Sequence, residues 1–321
     1  MTGELLPVAS PVVYSRSTTR AAFAVSRSGV LVYQPRGDSS RLVWVDDSGS
    51  AGRLVSSGDL LGLRLSPDGR RALFSRATPA FGTYDLWYVE LDRGAEWRLT
   101  SDPTSEIGGQ WLPDGGGVVF SAERQGAPHL FSRRLNEDND RELRPAGTFT
   151  VAHDVARDGV IAFKVIGEPR PRVVWGLRPD GGEPVSLMAT RFDVDDLRFA
   201  PDKELVAFVS SDSERSEVYV APRAAPQQRL RVSTGGGRLP RWGGRGGSLF
   251  YLSNDGRVMS TTVRARPSLV VSQPRPVLAV SSSPPWVDYD VTPDSKFLAI
   301  VPQTMASQQP LTVLINWLPL K

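Results

Sequence analysis

The chain has 321 residues, 38 of them Lys or Arg and 35 Asp or Glu, for a formal net charge of +3, with 26 prolines, 30 glycines and no cysteine. The missing cysteine excludes a disulfide scaffold, a thiol nucleophile, Cys-ligated zinc and an iron–sulfur cluster. With 40% hydrophobic residues and near-balanced charge, the composition is that of a globular chain able to bury a large core.

The first element expected is a short strand over residues 4–9, ahead of the first regular unit. Then a pattern starts and recurs. Ser26-Arg27-Ser28-Gly29 precedes the apolar run 30–33, and Ser66-Pro67-Asp68-Gly69 precedes 72–74. Leu112-Pro113-Asp114-Gly115 precedes 118–120, and Ala156-Arg157-Asp158-Gly159 precedes 160–163. Ala200-Pro201-Asp202-Lys203 precedes 205–208, the weaker Gly244-Arg245-Gly246 precedes 249–252, and Thr292-Pro293-Asp294-Ser295 precedes 297–300. The Asp or its equivalent falls at 28, 68, 114, 158, 202, 245 and 294, so the period is 40 to 49 residues. Periods of this size mark solenoids or propellers.

Turn chemistry explains each copy. Pro presets φ for the second position of a type I turn, Asp suits the third, and Gly takes the left-handed conformation that closes a hairpin. In the copy marked by Asp68 the turn separates strands at 61–65 and 71–75, and further strands are expected at 85–89 and 96–100. Four short strands rich in β-branched and aromatic residues form one antiparallel sheet. Such a sheet cannot bury both faces alone, and a radial arrangement lets each face pack on a neighbour. The fold class is therefore all-β: one β-propeller over residues 1–321, with four-stranded antiparallel blades. Seven blades are expected, six being the alternative. The last copy supplies strands near 287–291, 297–301 and 311–317, and residues 4–9 are expected to complete it as an N-terminal strand.

The Ser-Pro-Asp-Gly turn, with Asp85-Leu86-Trp87 and Arg98-Leu99-Thr100 downstream, resembles the WD40-like (PD40) repeats of TolB-like propellers. The similarity is closest to the C-terminal extracytoplasmic propeller of bacterial transmembrane Ser/Thr protein kinases. It runs through Phe23-Ala24-Val25-Ser26, Leu42-Val43-Trp44, Val232-Ser233-Thr234-Gly235, Pro240-Arg241-Trp242, Tyr289-Asp290-Val291 and Leu311-Thr312-Val313-Leu314. The turns at Lys203, Gly246 and Ser295 depart from the repeat pattern. The resemblance implies a sensor or interaction module, an extracytoplasmic or periplasmic location, and a kinase domain in cis in a longer parent chain. The implied partners are a protein, a peptide or a small polar envelope ligand.

Chemistry is sparse. The 34 arginines and 4 lysines are spread along the chain among acids, unlike the concentrated stripe of a nucleic-acid binder, so no nucleic acid is expected. The longest apolar runs, such as 311–315, are far short of the roughly 20 residues a membrane helix needs, so no membrane insertion of this segment is expected. No signal peptide is read at the front either. Gly-x-Ser-x-Gly, Walker, His-Glu-x-x-His and kinase motifs are all absent, leaving no catalytic residue, metal or cofactor to nominate. The Gly243–Gly247 run lacks the Lys-Ser/Thr of a phosphate loop and reads as a repeat turn. Of the two histidines, His129 reads as a strand-edge residue. Loops leading into the innermost strands place Asp59, Glu106, His153, Asp195, Arg238, Trp286 and Asp288 as candidate ligand-binding positions near the axis. The pairs Asp193/Asp195 and Asp288/Asp290 are compatible with a cation without being diagnostic of one. The alternative to a non-catalytic propeller is a lactonase- or lyase-like enzyme using a metal or acid/base site at the axis.

Overall fold

The computed structural model describes residues 14–15, 20–21, 23–26, 28–33, 40–78, 82–124, 127–144, 150–167, 172–201, 204–212, 215–243, 247–280, 287–303 and 312–315. Among these residues every regular element is a strand, and no helix is long and apolar enough to cross a membrane.

Each repeat folds into one sheet because its turn residues do what their chemistry dictates. In the turn at 66–69 the Gly69 amide donates to the Ser66 carbonyl at 2.8 Å, with Gly69 at φ 70°. The Ser66 hydroxyl accepts from the Arg71 amide at 2.9 Å, and the Asp68 carboxylate accepts from the Arg70 amide at 3.1 Å. Turns at 112–115 and 156–159 repeat the backbone bond. Ser295 adopts the same left-handed conformation without being glycine, at φ 63°. That drifted copy keeps its turn, with Thr292 Oγ1 accepting the Lys296 amide at 2.9 Å.

Six four-stranded blades follow from these hairpins. Blade I contains Leu60–Leu65, Arg71–Ala77, Tyr84–Glu90 and Glu96–Arg98. Blade II contains Glu106–Trp111, Gly117–Arg124, Ala127–Arg134 and Arg141–Arg144. Blade III contains Thr150–Val155, Ile161–Val165, Arg172–Leu177 and Val185–Thr190, and blade IV Val194–Phe199, Leu205–Ser210, Glu217–Pro222 and Leu230–Arg231. Blade V contains Gly237–Gly243, Ser248–Ser253, Arg257–Arg264 and Val270–Val271, with Arg275–Ala279 as an additional partner of its third strand. Blade VI joins the two ends of the chain: Asp288–Val291 and Phe297–Pro302 pair onward to Ser40–Val45 and Ala51–Gly58.

The innermost strands of these six blades touch in a closed circle, the one at 288–291 returning to the one at 60–65. The packing says the same. Six apolar clusters lie one between each adjacent pair of blades, so each second strand is buried on both faces. In blade VI, for instance, Leu298 and Ile300 face blade I while Phe297, Ala299 and Val301 face blade V. Phe74, Phe120, Phe163 and Phe208 recur at matching places in these seams, all wholly buried, each burial stabilising by roughly 1.5–3 kcal/mol.

Among the described residues seven sheets of three or more strands form. The seventh, Phe23–Val25, Val30–Tyr33 and Thr312–Ile315, carries the repeat marked at 28 and contributes no residue to the six clusters. The ring thus closes over six blades, the alternative count. Closure uses two strands from the front of the chain, 40–45 and 51–58. The segment 4–9, expected to complete the last blade, lies outside the described residues. The strand expected third in that blade, 312–315, pairs instead with 30–33. The reason is burial: Leu42 and Val43 are at most 1% exposed on opposite faces of their strand, whereas Val313 and Ile315 are more than half exposed.

Candidate functional site

Five of the six innermost strands carry a register shift midway, at 61/64, 107/110, 152/154, 195/198 and 238/241. A bulge re-aims the residue that follows it. Gly62 and Gly108 supply the left-handed backbone in blades I and II, at φ 72° and 68°, while Asp196 and Leu239 adopt it at 49° and 54° despite their Cβ atoms. A non-glycine residue held there costs energy and points to functional sites.

The bulges set one polar residue per blade around the axis: Arg64, Gln110, Asp154, Arg198 and Arg241, joined by Asp290 from the regular strand of blade VI. All six line one cavity of about 410 Å³. Just beyond them lie Leu65, Trp111, Val155, Phe199, Trp242 and Val291, and the rim includes Pro67, Pro201, Pro293 and Arg157. The cavity is an apolar collar over a charged floor. It opens at the end where the inner strands run into their turns.

The three arginines converge on one carboxylate. Arg241 Nη1 donates to both oxygens of Asp196 at 3.0 and 3.2 Å, Arg198 Nη2 donates to Asp196 Oδ1, and Arg64 Nη2 lies 3.6 Å from it. Asp288 is the second anchor, accepting from Arg241 Nη2 at 2.7 Å, from Arg64 Nη1 at 3.2 Å and from the Leu63 amide at 3.0 Å. Gln110 Oε1 accepts from Arg64 Nε at 3.0 Å and Arg198 Nη1 at 3.1 Å. Neighbouring blades are tied in the same layer: the Phe199 amide donates to Asp154 at 2.8 Å and the Leu65 amide to Asp290 at 2.7 Å. The indoles of Trp111 and Trp242 donate to the carbonyls of Arg64 and Arg198 at 3.0 and 3.1 Å.

Burial dominates the titration of this layer. It pushes Asp154 up to about 7 against the opposing pull of the Phe199 amide and Arg64. It raises Asp290 as well, against Arg241 and Arg64. Burial would lower Arg241, but the carboxylates of Asp196, Asp288 and Asp290 outweigh it and hold the guanidinium above its ordinary value.

Of the residues expected from the sequence, Asp288 joins this network through its carboxylate, and His153 through its backbone carbonyl, which accepts from Arg198 Nη1. The His153 ring is buried and accepts the Leu197 amide at 3.4 Å; burial pushes it down to about 3. Arg238 sits half-buried on the inner strand of blade V, lowered by burial and opposed by Asp288. Asp59 instead accepts the Tyr84 hydroxyl at 3.0 Å, and Asp195 pairs with Lys164 of blade III. Glu106 is wholly buried at the start of the blade II inner strand, where burial pushes its carboxyl up to about 8. Trp286 lies outside the described residues, as do Lys203 and 244–246 of the drifted turns. Asp193 pairs with Arg172 at 3.0 Å, and among the described residues no group of three or more His, Asp or Glu is placed to hold a metal ion. His129 is buried on the third strand of blade II beside Glu142, at 2.9 Å.

Sequence reasoning missed the arginines of the floor, yet a signal existed. Arg64, Gln110, Asp154, Arg198, Arg241 and Asp290 each lie four residues before a turn marker (68, 114, 158, 202, 245 and 294). The copy marked at 28 has Ala24 at that position, and it is the copy outside the ring.

No known protein-family profile matches the chain. Among solved structures it is similar to a putative TolB from Agrobacterium tumefaciens (14% identity, TM-score 0.63, covering 84% of this chain and all of that one). It is also similar to TolB from Acinetobacter baumannii (15% identity, TM-score 0.56, 78% of this chain), of whose length it spans 64%. An oligogalacturonate lyase in complex with manganese matches at 13% identity and TM-score 0.54, covering 95% of this chain and 82% of that one. At such identities the likeness shows the fold, that of TolB-like and WD40-type propellers.

Proposed function

We propose that the chain is a non-catalytic recognition module that binds a protein, a peptide or a small polar envelope ligand at its axial mouth. In a longer parent chain it would report that binding to a kinase domain, from an extracytoplasmic location, as the resemblance carried by stretches such as Phe23–Ser26, Pro240–Trp242 and Tyr289–Val291 implies. One observation carries the reading: six blades each commit a polar residue to the floor of a single open cavity of about 410 Å³. Ligand pockets of a few hundred Å³ combine an apolar lining with a few convergent polar groups in this way. Stability alone does not call for it, since a buried charge cluster is weak support for a fold compared with apolar packing.

The test is a thermal-shift and fluorescence screen of envelope peptides and small polar molecules against the purified chain. Its control is the double variant Pro67→Trp/Pro201→Trp, which fills the rim from opposite sides of the mouth. A ligand that stabilises the parent chain and not the variant supports the reading. Ligands acting equally on both refute it. Turnover of a lactone, an ester or an oligogalacturonate by the purified chain would favour the enzyme alternative.

A further inference from the structure

We infer that the outer rim of blade V is a docking surface for an anionic lipid bilayer, met edge-on and without insertion of a strand or helix. The inference goes beyond the axial-mouth reading and does not depend on it.

Over the whole chain basic and acidic residues nearly balance; taken blade by blade they do not. Blade V, over 237–279, carries seven arginines and a single acid, Asp255. Basic and acidic residues number six and five in blade I over 60–98, five and seven in blade II over 106–144, and five and five in blade III over 150–190. They number six and seven in blade IV over 194–231, and three and five in blade VI over 40–58 and 288–302. Blade V therefore stands at +6, while every other blade lies between −2 and +1. A local excess of that size sets up a field that the small net charge of the whole chain conceals.

The excess sits on the outside. Arg238 and Arg241 belong to the axial strand, and Arg245 lies outside the described residues. Arg257, Arg264, Arg266 and Arg275 are all exposed, on the outer strands of the blade and the hairpin between them. Two of the four have surface partners: Arg257 lies 3.4 Å from Asp255, and Arg266 pairs with Glu204. Pairs so exposed hold little of the charge back. Arg264 and Arg275 make no ion pair among the described residues. Arg264 stands opposite Val270 and Arg275 opposite Ser260, four residues before Arg264, so Arg264, Val270 and Arg275 share one face of the blade's outer part. Val270 is 51% exposed there and Val277 45%. The outermost strand of blade IV continues the pattern with exposed Leu230 and Arg231.

Protection of sheet edges accounts for charges on outer strands in general, since they discourage pairing with another chain. It does not account for the missing acids. The outermost strands of blades I and II serve that purpose with mixed charges, Glu96 beside Arg98 and Glu142 between Arg141 and Arg144. A rim of one sign fits a partner of the other. The outer strands of a closed ring form a convex circumference, which meets a flat surface better than it encloses a peptide. Valines set among the arginines favour lipid over nucleic acid: they gain by entering the boundary between headgroups and acyl chains, and gain nothing against phosphates. Docked by this rim, the ring stands on edge and its axial mouth stays open to solvent.

The experiment is co-sedimentation of the purified chain with vesicles of phosphatidylcholine alone or with about 30% phosphatidylglycerol, a content that gives a negative surface. Binding is expected to the anionic vesicles at about 0.1 M salt, and should fall steeply by about 0.5 M as the charges are screened. Arg264→Gln/Arg275→Gln should weaken it by about tenfold or more, at roughly fivefold for each basic residue near the surface. Arg93→Gln/Arg178→Gln removes the same charge from exposed sites on blades I and III and should change binding less than about twofold. Val270→Ser/Val277→Ser should weaken it about threefold or more at unchanged charge. All three double variants should keep the parent melting temperature, because the residues are exposed. No binding to the anionic vesicles overturns the inference, as does an equal loss in the two arginine variants. Binding to a short DNA duplex that is as tight as to the vesicles, and indifferent to the valine change, also overturns it and assigns the rim to nucleic acid.

Discussion

Replacing Arg241 with Met is the most direct challenge to the electrostatic account of the axis. The side chain is 2% exposed and touches Asp196 twice, Asp288 once, and the carbonyls of Pro240 and Tyr289. Removing one partner of a buried ion pair typically costs about 3–5 kcal/mol, because the remaining charge is stranded. Here the stranding is partial: Asp196 keeps Arg198 and the 3.6 Å approach of Arg64, and Asp288 keeps Arg64 at 3.2 Å. The lower end, about 3 kcal/mol, is therefore expected. Urea unfolding followed by tryptophan fluorescence measures the loss, and the Asp196→Asn/Arg241→Met double variant measures the coupling. The double variant should recover about 1–2 kcal/mol of what the two single changes lose in sum. A loss below about 1 kcal/mol for Arg241→Met, with no recovery, would mean the network is effectively solvated, and the reasoning would fail.

Other expectations follow from single residues. Leu42→Ala, in the seam of blades VI and I, should cost about 2–5 kcal/mol in the same urea assay, while Val25→Ala on the peripheral sheet should stay within about 0.5 kcal/mol. Similar losses at both sites would contradict a ring of six. Because burial lifts the Glu106 carboxyl to about 8 in the folded chain, the folded state holds a proton that the unfolded state gives up near 4.5. Stability contributed there is lost as pH rises from about 4.5 through 8. Glu106→Gln should flatten that slope in melting temperature against pH, and an unchanged slope would refute the assignment. His153, held near 3, acts with the opposite sign: its contribution is lost as pH falls from about 6.5 toward 3. Gly49→Ala puts a Cβ 2.0 Å from the Ala279 carbonyl oxygen at a φ of 83°, so a loss of about 1–3 kcal/mol is expected from crowding between blades V and VI.

The repeat was legible because its determinants are local. Pro, Asp and Gly impose the turn whatever surrounds it, and the runs after 68, 114, 158 and 202 read as strands buried on two faces. Strand partnership at the ends was not legible. Residues 40–45 and 312–315 are both short apolar runs, and choosing which completes the last blade requires knowing that Leu42 and Val43 each meet a different neighbouring blade. The axial residues fall between these cases. Arg64 sits between two leucines and Arg198 between Leu197 and Phe199, so each reads as a charge interrupting a strand until the copies are superimposed on their turn markers. The bulges that aim these side chains inward come from backbone geometry; Asp196 belongs to a residue type that tolerates positive φ, but that of Leu239 has no residue-type signature.

The closing blade also sets a timetable for synthesis. Strand 40–45 pairs at once with 51–58 on one edge, but the neighbour for its other edge is residues 297–302, some 250 positions further along the message. At ordinary translation speeds of about 5–20 residues per second, that strand waits roughly 12–50 seconds for its partner to emerge. During that interval Leu42, Val43 and Trp44 lie on an open edge, a ready target for holdase capture or for mispairing with another nascent chain. Closure of the ring in this sense comes late, and silent changes that slow decoding between positions 60 and 297 would lengthen the exposure without altering a single side chain.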